Sequence, residues 1–161
     1  IVPHGWGFSL QNRGHNFSLD PHHPNALAPG KRPYHTIIPG LITRADGSLY
    51  GPFGVMGGFM QPQGHLQTAV SLLDDGWDPQ ATLDLPRFCI EPAVEGGRVA
   101  LEAGIPEAVL AALVERGQPV HPVSGWGRAL FGRGQIIVRD PITGVLCGGS
   151  DPRADGCARG V

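Results

Sequence analysis

Apolar and polar positions alternate along this chain in short blocks divided by Gly and Pro. The longest organised stretch runs from Tyr34 to Asp75. Tyr34 to Thr43 is apolar and predicts a strand, in which Pro39 marks an edge, a bulge or a strand end because it donates nothing to a ladder. Ala45-Asp46-Gly47-Ser48 has the composition of a hairpin turn, and Leu49 to Met56 predicts the returning strand. The Gly51 to Met60 stretch is apolar on both faces, so both of its sides need cover. Gln63 to Asp75 carries Leu66, Ala69, Val70 and Leu73 at helical spacing, which predicts one apolar helix face. Gly76 suits the C′ position. Asp78 predicts an N-cap and Pro79 the first residue of a short helix that ends near Leu83.

Shorter blocks follow. Arg87 to Ile90 and Arg98 to Leu101 predict strands on either side of a Glu95-Gly96-Gly97 turn. Pro106 to Arg116 predicts a helix with Leu110, Leu113 and Val114 inward and Gly117 as its stop. Val120-His121 is a brief extended piece. Gln135 to Arg139 and Val145 to Cys147 predict a strand pair around Asp140-Pro-Ile-Thr-Gly144. At the other end, Ile1-Val2 and Trp6 to Leu10 predict two extended pieces. Residues 11–34 are polar and rich in Pro, His and Asn, and a loop of that length in a folded domain points to function or to disorder. Strands joined by short hairpins predict an α+β fold with a largely antiparallel sheet. The helices suffice for one sheet face. The second predicts a further layer, from another polypeptide or a second copy in a homo-oligomer.

Composition adjusts this picture little. The 161 residues suit one domain, 1–161. The 25 Gly and 16 Pro exceed the usual shares of about 7% and 5% and fall between the apolar runs, as punctuation does. With a net charge of -2 and no Lys/Arg run, a nucleic-acid interface is excluded as a reading. No apolar run nears the roughly 20 residues of a membrane span, so a soluble chain is expected, in a compartment left open. Cys89, Cys147 and Cys157 form neither a disulfide framework nor a zinc motif; inert or buried thiols are expected, with a Cys147–Cys157 bridge as the alternative in an oxidising compartment. The start, Ile-Val-Pro-His-Gly-Trp, lacks an initiator Met and a signal-peptide pattern, and reads as the middle of a longer protein.

The chemistry concentrates in Gly57-Gly58. Two adjacent glycines at a strand-to-helix break leave two N–H groups free to point at one spot, the requirement of an oxyanion hole or an anion nest. The plain alternative is a tight turn where side chains would clash. Other chemistries find less support. There is no G-x-S-x-G, Ser124 is a loop residue, and Cys89 has no electropositive neighbour beyond Arg87. No Lys-Ser or Lys-Thr follows the glycines, as a phosphate loop requires. His4, His15, His22 and His23 show no metal-ligand spacing, so neither a metal nor another cofactor is expected. Arg13 could clamp a carboxylate, or simply brace its loop.

Taken together and in order, Asn12-Arg-Gly-His-Asn-Phe-Ser18, Asn25-Ala26, Pro29-Gly-Lys-Arg-Pro33, Met56-Gly-Gly58, Asp84-Leu-Pro-Arg-Phe88 and Gly149-Ser-Asp-Pro-Arg153 resemble the small subunit of the gamma-glutamyltranspeptidases. The segments around Tyr34-His35-Thr36 and Gly51 to His65 are most similar to its acylase-like branch. The resemblance implies an N-terminal-nucleophile hydrolase fold, a layered αββα sandwich of which this chain supplies part. It implies an autoprocessed precursor whose new N-terminal threonine attacks gamma-glutamyl amides such as glutathione, its own amine acting as base, and an acyl-enzyme resolved by water or an amine.

By that resemblance Gly57 and Gly58 are the oxyanion glycines. Asn16 stands where typical members have the Asp that holds the substrate's alpha-amino group, Arg13 where many have Gln or Glu, and His35 and Thr36 where a Ser-Ser pair grips the alpha-carboxylate. These departures imply an altered donor, such as a glutaryl-type acyl group. The family's nucleophilic threonine precedes the segment matching Ile1-Val2-Pro3, and Thr36, Thr43 and Thr68 do not match it. This chain alone is therefore expected to be inactive, its partner being the remainder of the protein. The competing expectation is a non-catalytic binding or scaffold domain that keeps the fold.

Overall fold

The computed structural model describes residues 1–91 and 97–160, in two units, Ile1–Ile37 and Ile38–Val161. Among its described residues the first unit has no strand. Leu10 N–H instead donates to the Ile1 carbonyl at 2.8 Å, closing a loop across the two expected extended pieces. Pro3, and Gly5 and Gly7 at φ 81° and 68°, prevent a continuous ladder there. The polar segment is ordered by its own side chains. A 3-10 turn spans Gly14–Asn16, Ser18 and Ala26 form an isolated bridge, and Asn25 Nδ2 donates to the Asn16 carbonyl at 2.7 Å.

In the second unit, β1 (Gly40–Thr43), β2 (Leu49–Met56), β6 (Arg133–Arg139) and β7 (Leu146–Ser150) form an antiparallel sheet in the order β1-β2-β6-β7. The strand expected from Tyr34 shortens to begin just after Pro39, while β2 has the expected bounds. The hairpin between them turns at Gly47, φ 83°, with Ser48 N–H bonded to Asp46 Oδ1 at 2.9 Å. β3 (Phe88–Ile90), β4 (Val99–Glu102) and β5 (Val120–Val123) form a second sheet. β3 and β4 are antiparallel; β4 and β5 are parallel. That parallel pair departs from the hairpin-only expectation, because the helix α3 (Glu107–Glu115) lies between the two strands and serves as their crossover. Of the Glu95-Gly96-Gly97 turn, only Gly97 falls within the described residues.

The helix α1 (Met60–Leu73) starts immediately after the glycine pair, three residues earlier than its apolar spacing suggests. Its buried face is Met60, Gly64, Thr68 and Leu72, not the expected Leu66, Val70 and Leu73, which are exposed. The reason is steric. A Cβ on Gly64 would stand 2.7 Å from Val55 Cγ1, so the glycine is what lets the helix lie against β2. Gln63 and Gln67, one turn apart, then act as peptide surrogates along the β3 edge. Gln67 Oε1 accepts from Phe88 N–H and its Nε2 donates to the Phe88 carbonyl, both at 3.0 Å. Gln63 does the same for Ile90 at 2.7 and 3.1 Å. Side-chain amides thus satisfy an edge that would otherwise expose its backbone groups.

α2 (Pro79–Asp84) begins as expected: Asp78 Oδ1 accepts from the N–H groups of Gln80 and Ala81, each at 2.9 Å. Gln80 pairs with both backbone groups of Ser150 at 3.0 Å, closing the β7 edge in the manner of Gln67. In α3 no side chain is fully buried. Leu110 and Leu113 are half-buried, and Val114, expected inward, is exposed. Two apolar clusters form the core: Met60, Cys89, Ala100 and Phe131, and Leu72, Leu83 and Ile136. All three cysteines are free; Cys89 is buried, which raises its thiol pKa, while Cys147 and Cys157 are exposed rather than buried. No helix among the described residues is long and apolar enough to cross a membrane.

Candidate functional site

Gly57 and Gly58 lie where β2 hands over to α1. Both have positive φ, 150° and 60°, a combination that other residues rarely adopt. The turn is closed by Met60 N–H on the Gly57 carbonyl and Gln61 N–H on the Gly58 carbonyl, each at 3.1 Å. Both carbonyls are therefore committed to the first turn of the helix. Among the described residues, neither N–H of the pair donates to another backbone group. Gly58 is exposed and Gly57 half-buried. Beneath them, Gly132 packs against the turn: a Cβ on Gly57 would stand 3.0 Å from Gly132 Cα, and one on Gly132 only 2.3 Å from the Met56 carbonyl oxygen. Glycine is required on both sides of this contact.

In the first unit, Arg13 and Thr36 come together although 23 positions apart: Arg13 Nη1 donates to Thr36 Oγ1. Arg13 Nε is buried without a partner among the described residues. A guanidinium with an unsatisfied N–H can still accept an anion. Asn16 is half-buried, two residues past Gly14 on the same 3-10 turn, and His35 is exposed beside Thr36. The four expected substrate residues thus belong to the first unit, and the glycine pair to the second.

A charged cluster that the sequence reading left unused forms the centre of the second unit. Arg87 Nη2 pairs with Asp151 Oδ2 at 2.9 Å, and Arg153 Nη1 with Asp151 Oδ1 at 3.1 Å. Glu102 receives Arg153 at both oxygens, Arg128 Nε at 2.6 Å and the Arg87 N–H at 2.8 Å. Arg153 also donates to the carbonyls of Leu83 and Leu85, at 2.9 and 2.8 Å. Burial would raise the carboxyl pKa values of Asp151 and Glu102. The arginines and backbone donors outweigh it and hold both below the ordinary carboxylate range. The signal available in the sequence was that Asp84 to Phe88 and Gly149 to Arg153 are compact motifs carrying opposite charges. Only the fold shows that they meet.

Comparison with known proteins gives this geometry its setting. The family model described as gamma-glutamyltranspeptidase matches residues 1–161. The chain belongs to the gamma-glutamyltranspeptidase family. It is 36% identical over 156 residues to the oxamate amidohydrolase proenzyme of Klebsiella pneumoniae subsp. pneumoniae, covering 96% of this chain and 29% of that protein. It is also 36% identical over 159 residues to the glutathione hydrolase-like YwrD proenzyme of Bacillus subtilis, with the same coverage. The chain therefore spans under a third of these curated relatives. Among solved structures, cephalosporin acylase from Bacillus halodurans is similar at 55% identity and a TM-score of 0.78, over 94% of this chain and 27% of that one. A Helicobacter pylori gamma-glutamyltranspeptidase mutant, at 23% identity and a TM-score of 0.75 over 96% of this chain and 86% of that one, shares the fold.

The fold of this gamma-glutamyltranspeptidase family member is accordingly of the N-terminal-nucleophile hydrolase type, with mixed α/β content and largely antiparallel sheets. The relatives it matches include acylases, as the resemblance to the acylase-like branch implies. A cavity of about 310 Å³ lies between α1, α2 and the start of β3, lined by Gln67, Thr68, Thr82 and Arg87 among others. None of its lining residues belongs to the glycine turn. Among the described residues, no three His, Cys, Asp or Glu side chains gather in a way that could hold a metal ion.

Proposed function

We propose that residues 1–161 act as one domain, the C-terminal portion of the small subunit of a gamma-glutamyltranspeptidase-like amidohydrolase or acyltransferase, and that Gly57 and Gly58 form its oxyanion hole. The observation that carries this reading is the glycine turn: two adjacent N–H groups without backbone partners among the described residues, on residues whose φ values only glycine adopts easily. The remainder of the protein supplies the nucleophilic threonine. Its hydroxyl oxygen attacks the amide carbonyl carbon while its own amine takes the proton. The carbonyl oxygen becomes an oxyanion, and the two glycine N–H groups donate to it. The C–N bond breaks as the amine returns the proton to the leaving nitrogen. Water or an acceptor amine then attacks the acyl carbon, its proton passing to the threonine amine, and the ester C–O bond breaks to release the acyl product as that proton returns to the threonine oxygen.

The donor is a gamma-glutamyl or related acyl amide held by Arg13, Asn16, His35 and Thr36. Arg13, whose Nε has no partner among the described residues, suits a carboxylate, and neutral Asn16 offers an ammonium group no charge. A glutaryl-type acyl group, which has the carboxylate and lacks the ammonium, fits that pattern best. The test is kcat/KM of the full-length protein on glutaryl and gamma-glutamyl anilides. Preference for glutaryl is expected. Preference for gamma-glutamyl overturns the donor assignment, and turnover of neither favours the scaffold reading.

A further inference from the structure

The ion cluster and the glycine turn are linked by one short piece of backbone, Phe131 to Gly134. Arg87 Nη1 donates to the Phe131 carbonyl at 3.0 Å. Asp151 holds the other end twice: its Oδ2 accepts from Gly134 N–H at 2.7 Å, and its own N–H donates to the Gly134 carbonyl at 3.1 Å. Arg87 and Asp151 are themselves joined at 2.9 Å, with side chains 3% and 0% exposed. A Cβ on Gly134 would meet Leu83 Cδ2 at 2.4 Å, so this backbone is also pressed against α2. Between the two fixed ends lies Gly132, at φ 72°, directly under Gly57.

We infer that Arg87 and Asp151 are positioning residues for the reaction: by fixing Phe131 to Gly134 they hold the floor on which the Gly57-Gly58 turn rests, and so set the direction of its two N–H groups. Neither side chain touches the reacting atoms. The contact is transmitted through Gly132, which has no side chain to absorb a shift. A displacement of its Cα passes to Gly57, whose position sets the angle at which the N–H groups meet the oxyanion. Misplacing a catalytic group by about 1 Å can cost on the order of 100-fold in rate, so a small loss of rigidity here is visible in turnover.

This inference rests on the oxyanion reading of the glycine pair, and the experiment separates the two. In the mature full-length protein, Arg87→Lys keeps the charge but has one nitrogen, which cannot both donate to the Phe131 carbonyl and stand at ion-pair distance from Asp151 as Nη1 and Nη2 do. Asp151→Asn keeps an acceptor for Gly134 and loses the charge. Arg128→Gln removes a member of the same cluster that makes no contact with the Phe131 carbonyl or Gly134 N–H. Affinity is measured for a glutaryl-chain boronic acid, tetrahedral once the nucleophile's oxygen bonds boron, and for the free glutarate product, together with kcat, KM and the thermal midpoint. Arg87→Lys and Asp151→Asn are expected to lower kcat and boronate affinity about tenfold or more, with KM and glutarate affinity within about twofold, and Arg128→Gln to change neither. Losses that follow the thermal midpoint equally in all three variants overturn the inference. So does failure of both Arg87→Lys and Asp151→Asn to fold, since the pair is then a requirement of the fold rather than of the turn. Gly58→Ala, whose Cβ would meet nothing within 4 Å and so leaves the Gly132 contact alone, reports on the oxyanion reading apart from its floor: if it too leaves boronate affinity unchanged, that reading fails first.

Discussion

Arg153 and Glu102 meet as a two-point ion pair sealed from water: Arg153 Nε lies 2.7 Å from Glu102 Oε1 while Nη2 reaches Oε2, with side chains 1% and 0% exposed. The pair ties β4 to the segment after β7, and through the Leu83 and Leu85 carbonyls it also ties in the end of α2. Breaking such a pair from one side strands the other charge in the interior. Glu102→Ala in the full-length protein is expected to cost about 3–5 kcal/mol in chemical denaturation. Arg98→Ala, which breaks the more exposed Arg98–Glu91 pair, is expected to leave the midpoint nearly unchanged. Equal effects would show that the buried cluster is not special.

The same cluster sets an acid limit. Asp151 and Glu102 have carboxyl pKa values lowered on folding. Their stabilisation is fully present above the ordinary carboxylate values of about 4 and is lost as pH falls through the lower folded values. Stability measured from pH 6 downward is expected to hold until about pH 4 and then drop, with a shallower drop in Asp151→Asn. A drop centred well above that range would point to other groups.

Gly64 sets the distance between α1 and β2. Gly64→Ala is expected to destabilise by about 1–3 kcal/mol, because the new methyl overlaps Val55 Cγ1. The double change Gly64→Ala with Val55→Ala is expected to recover part of that loss, read as a non-additive double-mutant cycle. Strict additivity would mean that the helix relaxes elsewhere.

Gln67 is predicted to behave as part of the β3 edge. Gln67→Leu leaves the Phe88 N–H and carbonyl without their side-chain partner. The expected cost is about 1–3 kcal/mol, accompanied by faster amide hydrogen exchange at Phe88. Unchanged exchange at that amide would show that water or the rest of the protein replaces the glutamine.

At the donor site, Asn16→Asp adds the negative charge that an ammonium group seeks. It is expected to raise kcat/KM for gamma-glutamyl anilides relative to glutaryl anilides by about tenfold, a shift of roughly 1.4 kcal/mol. No change in the ratio would place Asn16 away from the donor.

Much of the local structure was legible in the residues. The Asp46-Gly47 turn, the β2 bounds and the Asp78 cap depend on neighbours a few positions away, and their chemistry is written in those neighbours. The glycine pair was legible as a break for the same reason. The buried face of α1 was not. Counting apolar residues selects Leu66, Val70 and Leu73, but the helix turns its small residues inward because Gly64 allows the closest approach to Val55. The parallel β4–β5 pair was equally hidden, since register across a crossover is decided by packing and not by the turn.

By itself, the sequence determined the strand and helix order, the left-handed glycines at Gly57 and Gly58, and the ordered motifs that mark the family. Each of these follows from covalent geometry and hydrogen bonding within a few residues. Tertiary structure alone decided that Arg87 and Asp151, 64 positions apart by their numbering, clamp the backbone beneath that glycine turn. Charges so distant in the chain meet only when burial removes water and leaves each the other as its partner.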